Sequence, residues 1–227
     1  RPVAEIRIGI LTIREKWEKW TGYPFSYLTP DYLQEKYPLI SGDENILVNS
    51  SVTPNAGLIE EILTLKSGEV LLKDNLMVAG CFDKFSLESF TGNIPAGFTT
   101  KQVLPDFFQI SRLWHIFRLN GDELRSDFKI LTEGRTSQPV SPTNNLINPV
   151  DIFVEGDVRM EYVTINASKG PVYIGRNTEI MEGSIIRGPF ALCEGAILKM
   201  GTKIYGPTTI GPYAKVGGEI TNSVIMG

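Results

Sequence analysis

Side chains suited to acid–base or metal chemistry are few in this chain. The only histidine is His115, in the amphipathic run SRLWHIFRL, and the two cysteines are Cys81 and Cys193. A general base must lie within hydrogen-bond reach of its substrate, and we interpret His115 as a structural helix residue. Two cysteines and one histidine do not make a four-ligand zinc cluster, so we exclude structural zinc. We expect two buried, reduced thiols in different domains.

A short polar run, Asn49, Ser50 and Ser51, follows the apolar residues ILV. Amide and hydroxyl groups hydrogen-bond ribose and sugar hydroxyls, but they are poor ligands for a hard cation. Asn49 and Ser50 are therefore candidate substrate-binding residues, and an ordinary turn at the end of a strand is the alternative. No GxGxxG or GxxxxGK string, which would cradle phosphates, occurs in the chain.

The elements that would position these side chains alternate in type. Apolar periodicity and turn residues predict helices at residues 12–21, 56–65 and 111–119, and strands at 44–52, 69–73 and 75–82, the first of them buried. This alternation predicts a mixed α/β domain over residues 1–140. Residues 141–151 lie in a stretch that is poor in apolar residues and rich in turn formers, which predicts a linker.

Branched aliphatic residues recur at every sixth position near the end of the chain. The positions are Ile174, Ile180, Ile186, Leu192, Leu198, Ile204, Ile210 and Val216. Small residues four positions after most of them, with Gly and Pro between, are typical of short strands that bend every few residues. The pattern resembles the hexapeptide repeat of left-handed parallel β-helices, and we assign residues 152–227 to this fold.

In a parallel β-helix of this kind, three hexads complete one coil, so side chains eighteen positions apart stack on each other. The predicted interior ladders are Ile174 with Leu192 and Ile210, Ile180 with Leu198 and Val216, and Ile186 with Ile204, the last ending at Asn222. Residues 166–173 shift the register by two positions before the strict repeat begins. A solenoid that only stabilises the protein or forms trimers is the alternative to an enzymatic one.

Composition narrows the class of protein. The chain has 227 residues, of which 42% are hydrophobic and 21% charged, so it is long enough for two compact units and too apolar for disorder. A net charge of −4 argues against nucleic acid and anionic membranes as partners, and no apolar run approaches transmembrane length. We expect a cytoplasmic protein. We also expect both ends to be cut, because the repeat stops without a cap and no initiator Met is present.

Three stretches resemble one enzyme family: RPVAEIRIGILTIREKW, ILVNSS, and the repeat from KGPVYIG onward. They are similar to sugar-nucleotidyltransferase-like proteins related to the bifunctional N-acetylglucosamine-1-phosphate uridylyltransferase / glucosamine-1-phosphate acetyltransferase. The resemblance implies an α/β nucleotidyltransferase-like domain of Rossmann type, followed by a left-handed β-helix. In this family the β-helix forms homotrimers and, in acyltransferase members, binds acetyl-CoA.

The activity implied by the resemblance is synthesis of a nucleotide sugar. A hexose or hexosamine 1-phosphate would attack the α-phosphorus of a nucleoside triphosphate, with Mg²⁺ and arginines offsetting the charge. One alternative is an acetyl-CoA-dependent sugar acyltransferase whose front domain is not catalytic. Another is a non-catalytic trimeric scaffold or nucleotide-sugar sensor. The related acetyltransferases carry their catalytic histidine after a segment like the one that ends at Gly227, and no catalytic residue is assigned.

The family pattern also suggests site residues. Arg1, Glu5 and Arg7 follow the position of the family's glycine turn and would lie nearest the nucleotide or sugar phosphate, with a solvated helix face as the alternative. Asn49 stands near the position of the family's metal-binding Asp.

The resemblance to this family suggests three further site residues. Asp127 is the candidate metal carboxylate, and an acid on a surface loop is the alternative. Tyr213 and Lys215 lie on a late coil where related enzymes bind the sugar, with an exposed coil position as the alternative.

Overall fold

The computed structural model describes residues 1–227, which form two compact units. The α/β unit comprises Arg1–Glu5 and Ile13–Ile110, and the solenoid unit comprises Ile6–Thr12 and Ser111–Gly227. These units divide the chain differently from the predicted domains, because residues 111–140 and a short segment near the amino terminus make their contacts within the solenoid unit.

The α/β unit has alternating helices and strands, and the predicted α/β class is confirmed. Its elements are a 3-10 helix at Val3–Glu5, α1 Ile13–Thr21, α2 Asp31–Gln34, β1 Glu44–Val48, α3 Ala56–Leu63, β2 Glu69–Lys73, β3 Leu76–Asp83, α4 Lys84–Glu88 and β4 Thr99–Gln102. The four strands form a mixed sheet in the order β1-β3-β2-β4. β3 is antiparallel to β1 and β2, whereas β2 and β4 are parallel.

Local sequence explains these elements. Asn55 caps α3, since its side chain accepts a hydrogen bond from the Leu58 amide over 3.0 Å. Val70, Phe82 and Leu87 form the centre of a buried cluster on the sheet. The strand that was predicted from residue 44 is present as β1, but the prediction that it is buried is wrong. β1 pairs only with β3, and its residues are exposed or half-buried at the sheet edge.

The solenoid unit begins with two helices and continues as a parallel β-solenoid of about four turns. Its elements are α5 Leu113–Arg118, α6 Asn120–Thr132, β5 Asn145–Ile147, a 3-10 helix at Pro149–Asp151, β6 Ile152–Val154, β7 Arg159–Met160, β8 Thr164–Asn166, β9 Val172–Ile174, β10 Glu179–Ile180, β11 Ile185–Arg187, β12 Phe190–Leu192, β13 Ile197–Leu198, β14 Lys203–Tyr205, β15 Thr208–Ile210, β16 Lys215–Val216, β17 Glu219–Thr221 and β18 Val224–Ile225. Strands β5 to β18 form three parallel sheets.

Strand pairing confirms the first two predicted ladders. Leu192 pairs with Ile174 and Ile210. Leu198 pairs likewise with Ile180 and Val216. Five of these six side chains, all except Val216, are buried in one continuous aliphatic core, which removes their apolar surface from water.

The third ladder departs from the prediction at its end. Ile204 pairs with Ile220, two residues before the predicted Asn222, because the last coil is shorter than the strict repeat. Asn222 instead takes a left-handed turn conformation with φ 46°. At the other end, Met160 pairs with Ile180, twenty positions away, which is the predicted shift of two residues.

The solenoid also begins earlier than predicted. β5 pairs in parallel with β8, so Asn145–Ile147 belongs to the first coil, although the sequence predicted residues 141–151 as a linker. The helix α6 was not predicted. None of the six α-helices combines the length and the hydrophobicity that crossing a membrane requires.

Candidate functional site

A hydrogen-bonded ionic cluster lies at the start of the α/β unit. Arg14 Nε donates to Glu5 Oε1 over 2.9 Å, and Arg14 Nη1 donates to Glu18 Oε2 over 2.6 Å. The hydroxyl of Tyr27 donates to Glu5 Oε1 over 2.6 Å. Arg14 and Glu18 meet because they are four positions apart on α1, and Glu5 is delivered by the preceding 3-10 helix. We call Glu5, Arg14, Glu18 and Tyr27 the Arg14 cluster.

The Arg14 cluster fixes the charge state of its members. Partial burial opposes ionisation of Glu5, but the hydrogen bonds from Tyr27 and Arg14 outweigh it and lower the pKa of Glu5 below 4.5. Burial and the hydrogen bond to Glu5 raise the pKa of Tyr27 from 10.0 to about 12. Burial also opposes the charge on Arg14, whose pKa is nevertheless raised by its two carboxylate partners. At neutral pH Glu5 is therefore ionised and Tyr27 is a hydrogen-bond donor.

Two cavities of the α/β unit share part of their lining, and the smaller one borders this cluster. The smaller has a volume of about 120 Å³ and is lined in part by Pro2, Arg14, Tyr27 and Ser50. The larger has a volume of about 470 Å³ and a mainly apolar lining. Their linings share seven residues, Trp17, Phe25, Ser26, Leu28, Ile46, Leu47 and Val48, so they form one depression, which we call the front groove.

The front groove brings together parts of the predicted site. Ser50 lies in its lining, and Glu5 lies in the Arg14 cluster, where Arg1 contributes electrostatically to the ionisation of Glu5. Arg14 and Tyr27 were not predicted as site residues. The spacing of Arg14 and Glu18 on a predicted helix was a usable signal, but the contact with Tyr27 depends on the loop after α1.

Comparison with known proteins identifies the family. Residues 1–136, more than half of the chain, match the family model described as sugar nucleotidyl transferase. The chain belongs to this family. A search of curated proteins finds no match. The matched range includes the whole of the α/β unit and its front groove, so membership in the sugar nucleotidyl transferase family indicates a transferase and confirms the resemblance seen in the sequence.

In this member of the family, the Asn49 side chain makes its hydrogen bonds within a turn. Its Nδ2 donates to the carbonyl of Met77 over 3.0 Å. Its Oδ1 accepts from the amide and the hydroxyl of Ser51, over 3.0 and 2.8 Å. Asn49 therefore holds the loop that carries Ser50, and substrate contact by Asn49 itself stays a prediction.

Arg7 and Asp127 have structural contacts in the solenoid unit. The buried Arg7 donates from Nη1 to the carbonyl of Ile10. Asp127 lies on α6, with an exposed fraction of 1%, and its Oδ2 accepts from the amides of Ile10 and Leu11 over 2.8 and 3.0 Å. The structure separates Arg7 from Glu5 in different units, and it places Asp127 in a helix rather than on a surface loop.

The Mg²⁺ implied by the resemblance has no matching ligand set among these side chains. No group of three or more His, Cys, Asp or Glu residues is arranged to hold a metal ion. Glu5 and Glu18 are paired with Arg14, and Asp127 binds backbone amides. The metal assignment of Asp127 therefore has no support from its geometry.

The remaining candidates lie in the solenoid unit. Tyr213 has an exposed fraction of 70% and a left-handed φ of 59°, and its ring occupies the space that a Cβ on Gly195 would need. Lys215 lies exposed on β16 beside Ile197. Sugar binding by Tyr213 and Lys215 stays a prediction. His115 lies in α5, as predicted, where its Nδ1 accepts from the amide of Ser111 over 3.4 Å.

Proposed function

We propose that the α/β unit transfers a nucleotidyl group from a nucleoside triphosphate to a hexose or hexosamine 1-phosphate, and that the front groove binds both reactants. Family membership over residues 1–136 supports the reaction class. The observation that carries the choice of site is Arg14, which lines the smaller cavity and whose guanidinium is held by Glu5 and Glu18.

Arg14 is suited to the charge changes of this reaction. An oxygen of the sugar phosphate attacks the α-phosphorus, the bond from that phosphorus to the bridging oxygen breaks, and pyrophosphate leaves. Negative charge on the phosphoryl oxygens is offset by fixed cations that need not reorganise during the reaction. Glu5 and Glu18 accept from Nε and Nη1 of Arg14 and so hold its guanidinium in one orientation, in which it donates to a phosphate oxygen of the substrate.

The rest of the front groove suits a sugar or nucleoside. The hydroxyl of Ser50 is a hydrogen-bond donor and acceptor for a ribose or hexose hydroxyl. Tyr27 is protonated at neutral pH, and because its pKa is raised to about 12 it keeps its proton well into the alkaline range. The larger cavity has Trp17 and Phe25 in its lining, and apolar walls with a few polar groups are typical of small-molecule sites.

Pyrophosphate release tests this proposal. The protein is incubated with Mg²⁺, a panel of sugar 1-phosphates, and either UTP or dTTP. Release that requires both a sugar 1-phosphate and a triphosphate supports nucleotidyl transfer. No release with any pair would contradict it.

A nucleotide-sugar sensor is the second candidate. It is favoured by Asn49, an amide where the related enzymes carry a metal-binding carboxylate. Thermal stabilisation by a nucleotide sugar, together with no pyrophosphate release, would support the sensor. An acyltransferase function of the solenoid, which would use acetyl-CoA, is tested by coenzyme A release, and a homotrimer is tested by the mass of the protein in solution.

A further inference from the structure

The segment Ile6–Thr12 forms a small hairpin that interrupts the α/β unit in the sequence. Arg1–Glu5 and Ile13–Ile110 belong to the α/β unit, whereas Ile6–Thr12 belongs to the solenoid unit. Arg7 and Thr12 form an antiparallel bridge, and the Ile8 amide donates to the Leu11 carbonyl over 3.2 Å. We call this segment the 6–12 hairpin.

Three buried side chains hold the backbone at the tip of the 6–12 hairpin. Asn120 Oδ1 accepts from the Gly9 amide over 2.7 Å. Asp127 Oδ2 accepts from the next two amides over 2.8 and 3.0 Å. Thr209 Oγ1 donates to the Gly9 carbonyl over 2.8 Å. The exposed fractions of Asn120, Asp127 and Thr209 are 0, 1 and 0%, so these hydrogen bonds are shielded from competing water.

The fit around Gly9 leaves no space for a side chain. Gly9 has φ 75°, and a Cβ at this position would lie 2.5 Å from Asp127 Oδ2 and 2.8 Å from the Glu123 carbonyl oxygen. Two of the anchoring hydrogen bonds end on the Asp127 carboxylate, and hydrogen bonds to a charged acceptor are stronger than those between neutral groups. The hairpin is therefore fixed to the solenoid unit by both packing and charge.

In the sequence, members of the Arg14 cluster lie next to both ends of the 6–12 hairpin. Glu5 precedes Ile6, and Arg14 is the second residue after Thr12. Facing residues in an antiparallel pair are held about 4.5–5.5 Å apart at their Cα atoms, so a closed hairpin also limits the separation of the residues on either side of it. The 2.9 Å contact between Arg14 Nε and Glu5 Oε1 is made by these flanking residues.

We infer that Asn120, Asp127 and Thr209 are positioning residues, which hold the 6–12 hairpin closed and thereby orient Arg14 against Glu5. Only the consequence for catalysis rests on the proposed function. The positioning itself concerns the Arg14–Glu5 contact and is measured without substrate.

Hydrogen exchange of the Arg14 side chain, followed by NMR in ¹⁵N-labelled protein, tests this inference. In the parent protein the Nε–H of Arg14 should be protected, and its resonance is assigned by its loss in Arg14→Lys. Asp127→Ala removes the acceptor of two hairpin amides, and we expect Arg14 Nε–H to exchange about tenfold faster or more. Asp127→Asn keeps an oxygen acceptor at the same place, and it should restore most of the protection.

Glu155→Ala is the matched control. Glu155 is a buried carboxylate of the same unit, and it accepts from Arg135 over 2.7 Å and from Tyr173 over 2.8 Å. Neither of these hydrogen bonds involves the 6–12 hairpin, so Glu155→Ala should leave Arg14 exchange unchanged. If Asp127→Ala does not fold, Thr209→Val is used in its place. This variant keeps the side-chain volume and removes the donor to the Gly9 carbonyl, and we expect a smaller acceleration of Arg14 exchange.

Two results would overturn the inference. One is equal acceleration in Asp127→Ala and Glu155→Ala, which would indicate a general loss of stability. The other is fast exchange of the Ile10 and Leu11 amides while Arg14 Nε–H stays protected. Pyrophosphate release is measured separately. If the protein shows no release, the exchange rates of Arg14 Nε–H still test the positioning role of the three residues.

Discussion

The hydroxyl of Tyr27 lies 2.6 Å from Glu5 Oε1, the oxygen that also accepts from Arg14 Nε over 2.9 Å. One carboxylate oxygen thus orders both a phenol and a guanidinium in the lining of the front groove. Burial raises the pKa of Tyr27 and the hydrogen bond to Glu5 raises it further, whereas the two donors lower the pKa of Glu5 against the effect of burial.

The first prediction concerns stability at high pH. Tyr27 has a folded-state pKa of about 12, above its ordinary value of 10.0, so its contribution to folding is complete below pH 10.0 and is lost as the pH rises towards 12. Allowing for solvent screening at this partly exposed site, we expect a loss of about 1 kcal/mol. Urea unfolding between pH 9 and pH 12 should show this loss in the parent protein and a flatter curve in Tyr27→Phe. Parallel curves would contradict the prediction.

The second prediction separates ligand contact from loop stability. Ser50 lines the front groove, whereas the hydroxyl of Ser51 is bonded to Asn49 Oδ1 over 2.8 Å. Ser50→Ala should weaken binding of UTP or a nucleotide sugar about three- to tenfold, with an unchanged midpoint of unfolding. Ser51→Ala should lower the midpoint instead. Calorimetric titration and thermal unfolding of both variants provide the test, and equal behaviour of the two would refute it.

Gly9 provides the third prediction. Gly9→Ala places a Cβ in a left-handed backbone position and against Asp127, whereas Gly134→Ala meets a similar φ of 68° with no atom within 4 Å. Both variants should lose about 1 kcal/mol through backbone strain, and Gly9→Ala about 2 kcal/mol more through steric overlap. The free energy of unfolding in urea measures the difference. Equal losses would show that the hairpin adapts to the added methyl group.

The fourth prediction uses two adjacent residues of β11. Ile186 is 0% exposed in the interior ladder, and its neighbour Ile185 points outward with an exposed fraction of 46%. Ile186→Ala should cost about 2–5 kcal/mol because it leaves a cavity in the core. Ile185→Ala should change stability by no more than about 0.5 kcal/mol. Denaturant unfolding followed by circular dichroism compares the stabilities of the two variants. Similar losses of stability would contradict the placement of Ile186 inside the solenoid and Ile185 outside it.

The solenoid was the most predictable part of the fold. Each hexad places its own aliphatic side chain inside, so the period alone gives the pairing of Leu192 with Ile174 and Ile210. The departures occur where the period breaks. Asn145–Ile147 joins the first coil with only one half-buried side chain, and the shortened last coil brings Ile220 to the place expected for Asn222.

The candidate site was less predictable because it depends on contacts between distant residues. Asp127 and Ile10 are 117 positions apart, and no local pattern shows that this carboxylate accepts backbone amides. Tyr27 reaches Glu5 through a loop whose course the sequence did not indicate. Sequence reasoning therefore proposed Glu5 and Ser50 as site residues, which stays a prediction, and it did not show that Glu5 contacts Arg14 and Tyr27.

The central claim is that Arg14 binds a phosphate group of a ligand in the front groove. Binding of UTP to charge-matched variants tests this claim most directly. Arg14→Gln removes a guanidinium paired with carboxylates in the α/β unit, and Arg135→Gln removes one paired with Glu155 over 2.7 Å in the solenoid unit. We predict that calorimetric titration shows at least about tenfold weaker binding in Arg14→Gln and unchanged binding in Arg135→Gln. Equal affinity of the parent protein and Arg14→Gln would contradict the account.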